Sequence, residues 1–108
     1  MSADRNEKLK EFIRIIAAEF IQRESNGTSL ITITNVSLSD NGGQSTIYFT
    51  VLPADKEKAA LDFLKRMRGE FRTHLMEKAR MRRIPFFDFE IDFGEKNRQK
   101  IDEISHKV

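Results

Sequence analysis

Apolar residues near the start of the chain recur at helical spacing. Leu9, Phe12, Ile13, Ile16, Ala17, Phe20 and Ile21 fall on one face, which predicts an amphipathic helix over residues 5–24. Ser25-Asn26-Gly27-Thr28 then stops it, with Asn and Gly suited to a left-handed backbone. Residues 30–38 are rich in Ile, Thr and Val and read as a strand. Ile31 and Ile33 are in phase, but Val36 and Leu38 are out by one, which a bulge near Thr34-Asn35 repairs. Ser39-Asp40-Asn41-Gly42-Gly43 has turn chemistry, and residues 46–52 read as a second strand with Ile47, Phe49 and Val51 facing one way. The two strands are expected to form a hairpin.

Pro53 ends the second strand, and Asp55 is the expected N-cap of the next helix. From residue 56 to about 82 the period is helical again, with Ala60, Phe63, Leu64, Met67, Phe71 and Leu75 on one face. Gly69 interrupts this pattern and reads as a kink or a point of close packing. The helix must finish before Pro85, because the residue preceding proline is pushed out of helical geometry. Phe87, Phe89, Ile91 and Phe93 then alternate with Asp88, Glu90 and Asp92, predicting a half-buried strand over 86–93 that ends at Gly94. Phe86 is off that phase, and so is Tyr48 on the second strand. Residues 96–104 are expected to form a short last helix with Ile101 and Ile104 inward. The order is helix, strand, strand, broken helix, strand. It predicts one α+β domain over residues 1–108, with the helices on one face of a three-stranded sheet, the order of the type II KH arrangement.

Composition narrows the class. At 108 residues the chain has the length of one domain, and nine Phe supply a core. No apolar run approaches the length of a membrane span, and the first residues lack a signal-peptide core, so a cytoplasmic protein is expected. There is no Cys, which excludes disulfides, thiolate catalysis and thiolate metal sites.

The net charge of +2 is too small to argue a partner, but its distribution is uneven. Lys65, Arg66, Arg68, Arg72, Lys78, Arg80, Arg82 and Arg83 stand in one stretch against only Glu70 and Glu77. Lys65, Arg68 and Arg72 share a helix face opposite the Phe63-Met67-Phe71 stripe. Arg outnumbers Lys, which suits bidentate contact with phosphate, and the alternative is a solvated helix face. Asp88, Glu90 and Asp92 share a strand face. They could hold a divalent cation in a nuclease, or serve as ordinary solvent-facing acids pointing away from any polyanion. His74 and His106 have no catalytic partner at a telling spacing, and Gly-x-x-Gly is absent. A third reading is a protein–protein adaptor using the sheet edge and Tyr48.

Several local words, in order, resemble one family. These are Ile33-Thr34-Asn35-Val36-Ser37-Leu38-Ser39-Asp40, Thr46-Ile47-Tyr48-Phe49-Thr50-Val51, and Gly69-Glu70-Phe71-Arg72. They continue with Ala79-Arg80-Met81-Arg82-Arg83-Ile84-Pro85, Phe87-Asp88-Phe89-Glu90-Ile91-Asp92 and Lys100-Ile101-Asp102-Glu103-Ile104. Together they resemble the ribosome-binding factor A family, from about residue 5 to 104. The resemblance implies a KH-like, non-catalytic, cold-shock-associated factor. Such a factor assists late maturation of the small ribosomal subunit and its RNA, acts as a monomer and needs no cofactor. It implies an RNA-binding set of Lys65, Arg68, Arg72, Lys78, Arg80, Arg82 and Arg83 around a structural kink at Met67 and Gly69. Arg72, Arg80 and Arg82 match arginines of the family pattern. The family's Ala-x-Gly kink here reads Met67-Arg68-Gly69, with Met where Ala is usual. Many members also carry a charged C-terminal extension that this sequence does not show.

Overall fold

A computed structural model describes residues 2–24, 27, 29–79 and 84–98, with side chains from Glu7 onward. Helix α1 (Ser2–Glu24) is followed by strands β1 (Leu30–Leu38) and β2 (Gln44–Leu52). A single 3-10 turn at Ala54–Lys56 then leads into α2 (Glu57–Arg66), α3 (Arg68–Lys78) and β3 (Phe86–Ile91). Residues 93–98 are helical; Ile101 and Ile104 lie outside the described residues, as do Ser25, Asn26 and Thr28.

The sheet has the order β1-β2-β3. β1 and β2 are antiparallel, and their register steps from Ile33↔Phe49 to Asn35↔Tyr48, leaving Thr34 as the extra residue of a bulge. That is the position the alternation required. It keeps Ile31, Ile33 and Val36 on the core side, opposite Val51, Phe49 and Ile47. The hairpin turn is closed by Ser39, whose Oγ accepts the amides of Gly43 at 3.1 Å and Gln44 at 3.0 Å. Gly42 has φ +71°, a left-handed conformation that glycine takes without steric cost. β3 runs parallel to β2, as a crossover through α2 and α3 permits, with Phe87, Phe89 and Ile91 paired to Ser45, Ile47 and Phe49.

The helices α1, α2 and α3 pack on one face. α1 lies over β1 and meets α3, while α2 covers β3 and part of β2. Phe71 of α3 centres the core, fully buried, with ring centroids 5.5 Å from Phe20, 4.9 Å from Phe87 and 5.9 Å from Phe89. The edge-to-face angles suit aromatic quadrupoles. The opposite sheet face is polar, carrying Thr32, Asn35, Ser37, Thr46, Tyr48, Asp88 and Glu90.

Four expectations are corrected. Asp55 does not cap α2; it lies in the 3-10 turn, and α2 begins after Lys56 without a side-chain cap. The helix breaks at Met67 rather than at Gly69. Met67 has φ −88° and ψ 2°, and its amide is shared between the Phe63 and Leu64 carbonyls at 3.1 Å each. Gly69 sits in the first turn of α3, and a Cβ added to it would meet nothing within 4 Å, so it is not a close-packing point. Finally, β3 stops at Ile91, before Gly94. Asp92 Oδ1 accepts the Glu95 amide at 3.0 Å and starts the helical turns, which leaves Phe93 64% exposed instead of in the core.

Candidate nucleic-acid interface

The break at Met67 places the last turn of α2 beside the first turn of α3, so Lys65 and Arg68 emerge together. α2 packs on β3, which is an edge strand, and the long basic side chains reach round that edge to its polar face. There Lys65 Nζ lies 3.0 Å from Asp88 Oδ1, and Arg68 Nη1 lies 3.4 Å from the same oxygen. Arg68 Nε also donates to the Lys65 carbonyl at 3.1 Å. These bonds fix the Arg68 guanidinium with its carbon 5.9 Å from the centre of the Phe86 ring. Phe86 opens β3 two residues before Asp88 and is 62% exposed, as its off-phase position anticipates. Arg72, one turn further along α3, is exposed, and its only hydrogen-bond contact among the described residues is a weak one to Met76 Sδ at 4.0 Å.

A groove of about 260 Å³ runs between the helix break and the start of β3, lined by Lys65, Arg68, Gly69, Arg72, Phe86 and Phe87. Three of the residues singled out as cationic candidates, Lys65, Arg68 and Arg72, are therefore brought to one concave surface. Lys78 is exposed at the far end of α3 and does not line the groove. Arg80, Arg82 and Arg83 lie outside the described residues. Of the kink pair, Met67 makes the break and Gly69 lines the groove.

The strand acids are not a cluster. Burial pushes the Asp88 carboxyl upward, but bonds from Lys65 and the Phe89 amide, with the Lys65 and Arg68 charges, outweigh it and hold it below its ordinary value. Asp92 is held low chiefly by the Thr34 hydroxyl, which donates to its Oδ2 across β2, and then by the Glu95 amide. Among the described residues no group of three or more His, Asp or Glu is arranged to hold a metal ion. Asp88 does not stand as a free solvent-facing acid: Lys65 and Arg68 end at its carboxylate on the polar face of β3.

Sequence reasoning passed over His74 as incidental. It is buried at 8% exposure against Phe20, with ring centroids 5.5 Å apart, and its Nδ1 accepts from Arg23 Nη2 at 3.3 Å. The proton is thereby placed on Nε2, which is buried without a partner among the described residues. An i, i+3 reading from Phe71 to His74 would have put it on the buried side.

Residues 5–105 match the profile of the family described as ribosome-binding factor A. The chain belongs to the ribosome-binding factor A family. It is 33% identical to ribosome-binding factor A of Staphylococcus saprophyticus, the match covering 99% of this chain and 97% of that one. It is 31% identical to that of Geotalea uraniireducens, over 94% of this chain and 88% of the relative. The fold resembles the crystal structure of ribosome-binding factor A from Thermus thermophilus, with a TM-score of 0.73 and 28% identity. That match covers 80% of this chain and 93% of the other. It also resembles the Thermus thermophilus factor as fitted into a cryo-electron-microscopy map of a 30S complex, with a TM-score of 0.69 and 28% identity over 77% and 90% of the two chains.

Chemically, the groove offers a family member fixed donors. Arg68 keeps its Nη2 N–H groups unbonded among the described residues, and Arg72 presents an exposed guanidinium bonded only weakly, to Met76 Sδ. Such forks bind phosphate oxygens bidentately. No helix among the described residues is long and apolar enough to cross a membrane.

Proposed function

We propose that this chain binds the small ribosomal subunit in the cytoplasm, as a monomer and without catalysis. There it assists late maturation of the subunit and processing of its RNA, holding RNA phosphates with the basic helix pair α2–α3. The observation that carries this reading is the gathering of Lys65, Arg68 and Arg72 at one groove beside the helix break. Arg80, Arg82 and Arg83 come soon after in sequence, and with Lys78 they extend the cationic set. The family membership and the 30S complex of the Thermus thermophilus relative support the choice of partner. Dense phosphate with condensed counterions rewards such a surface, and the reward falls steeply with salt.

Co-sedimentation of the purified chain with separated subunits at low and high salt tests the proposal. Association with the small subunit alone, weakened by salt, is the expected result; equal association with both subunits, or none at low salt, overturns it. An adaptor role rests on a different observation. Leu30 and Leu52 are cross-strand partners at the end of the hairpin and are 62% and 58% exposed. An apolar contact there would keep its strength at high salt.

A further inference from the structure

We infer that the groove between the α2–α3 break and β3 is a site for an unpaired nucleotide, whose base stacks on Phe86 while its phosphate is held by Arg68 and Arg72. The inference rests on the proposed RNA-binding role and names the form of RNA that this surface takes.

A single exposed apolar side chain is ordinary on a protein surface. Phe86 differs in its setting. It stands at the mouth of a concave groove whose other lining side chains are three cations and the buried Phe87. Phe86 stays 62% exposed even with the Arg68 guanidinium at cation–π distance from its ring. The guanidinium is held over one side of the ring by its bond to the Lys65 carbonyl and by Asp88. An exposed aromatic ring with arginines beside it is the arrangement that binds single strands: the ring stacks a base and the cations hold its phosphate. Duplex RNA cannot use it, because paired bases have no free face and the A-form major groove is too deep and narrow for side-chain reading. Asp88 pairs with Lys65 and Arg68, and Arg72 adds a third cation to the lining, so the groove remains net positive.

The test is fluorescence anisotropy of the full chain with short labelled oligoadenylate, oligouridylate and a duplex RNA, run beside small-subunit co-sedimentation. Wild type is expected to bind single strands more tightly than duplex. Phe86→Ala should weaken single-strand binding by between about fivefold and about a hundredfold, the range of base–aromatic stacking, with the salt slope unchanged. Phe86→Trp should restore it, and Arg72→Glu should lower both affinity and slope. Circular dichroism checks that each variant is folded. If Phe86→Ala binds single strands like wild type, or duplex binds as well as single strand, the stacking site is overturned. When that occurs while subunit binding persists and depends on Arg72, the proposed function stands and only the nucleotide site falls. No binding to subunit or RNA at low salt removes both.

Discussion

Lys65 Nζ and Asp88 Oδ1 lie 3.0 Å apart, joining the end of α2 to the polar face of β3 around the sheet edge. Arg68 shares the same carboxylate oxygen. Asp88 thus occupies, with an internal anion, cations that the proposed function assigns to RNA phosphate. Removing it should release them. Asp88→Ala is expected to leave small-subunit binding unchanged or a few-fold tighter, at a cost of about 0–1 kcal/mol in stability, because the pair is more than a third exposed. Co-sedimentation and urea unfolding of the same variant check the two halves of this expectation.

Charge reversal on α3 should act in the opposite direction. Arg72→Glu, alone or with Arg80→Glu, is expected to weaken subunit binding at low salt on the order of tenfold or more. It should also reduce the salt slope by roughly one unit for each phosphate interaction removed. The fold should persist, since substitutions at exposed positions such as Arg72 usually change stability by about 0.5 kcal/mol or less. Wild-type binding by a variant with a native circular dichroism spectrum would reduce the basic stretch to a solvated helix face.

Gly69 offers a test of the helix break. A glycine required for close packing would be destabilised by any side chain. Here the Cβ position is open and the residue is helical with no left-handed backbone, so Gly69→Ala should stabilise the chain by roughly 0.4–1 kcal/mol. Thermal unfolding would show a midpoint raised by a few degrees; a lowered midpoint would restore Gly69 as the essential element of the kink.

The acid limb of stability should report on Asp88 and Asp92. Both carboxyls are held below their ordinary values in the folded chain, so they bind protons less readily there than when unfolded. Their contribution is fully present above the unfolded value, near pH 4, and is lost as pH falls through the lower folded values. Asp92→Asn removes the charge that the Thr34 hydroxyl and the Glu95 amide stabilise. Its stability should be lower than that of wild type at neutral pH, with the gap narrowing below about pH 4. Chemical denaturation across that range measures it, and a constant gap would show that the Asp92 charge is not what the hydroxyl and amide stabilise.

Local pattern alone determined most of the architecture, because strands and helices declare themselves through the spacing of their buried side chains. The one-residue slip between Ile33 and Val36 located the bulge at Thr34, and the phase of Phe87 and Phe89 put Phe86 outside. The same stretch shows where pattern stops being enough. Phe93 continues the alternation in sequence, yet the Asp92 side chain accepts the Glu95 amide and turns the chain helical, so alternation no longer sets which way Phe93 faces. Likewise Met67, not Gly69, breaks the helix, although glycine is the weaker helix former. Ala60 and Leu64 of α2 are buried on the side that covers β3, while Phe71, His74 and Leu75 of α3 are buried toward α1 and β3 as well, and no single straight helix serves both packings. The pairing of Lys65 and Arg68 with Asp88 was out of reach for the same reason. It joins residues 23 and 20 positions apart. It exists only because β3 takes the edge beside β2, and that placement is set by the packing of the whole sheet against three helices, not by any spacing along the chain.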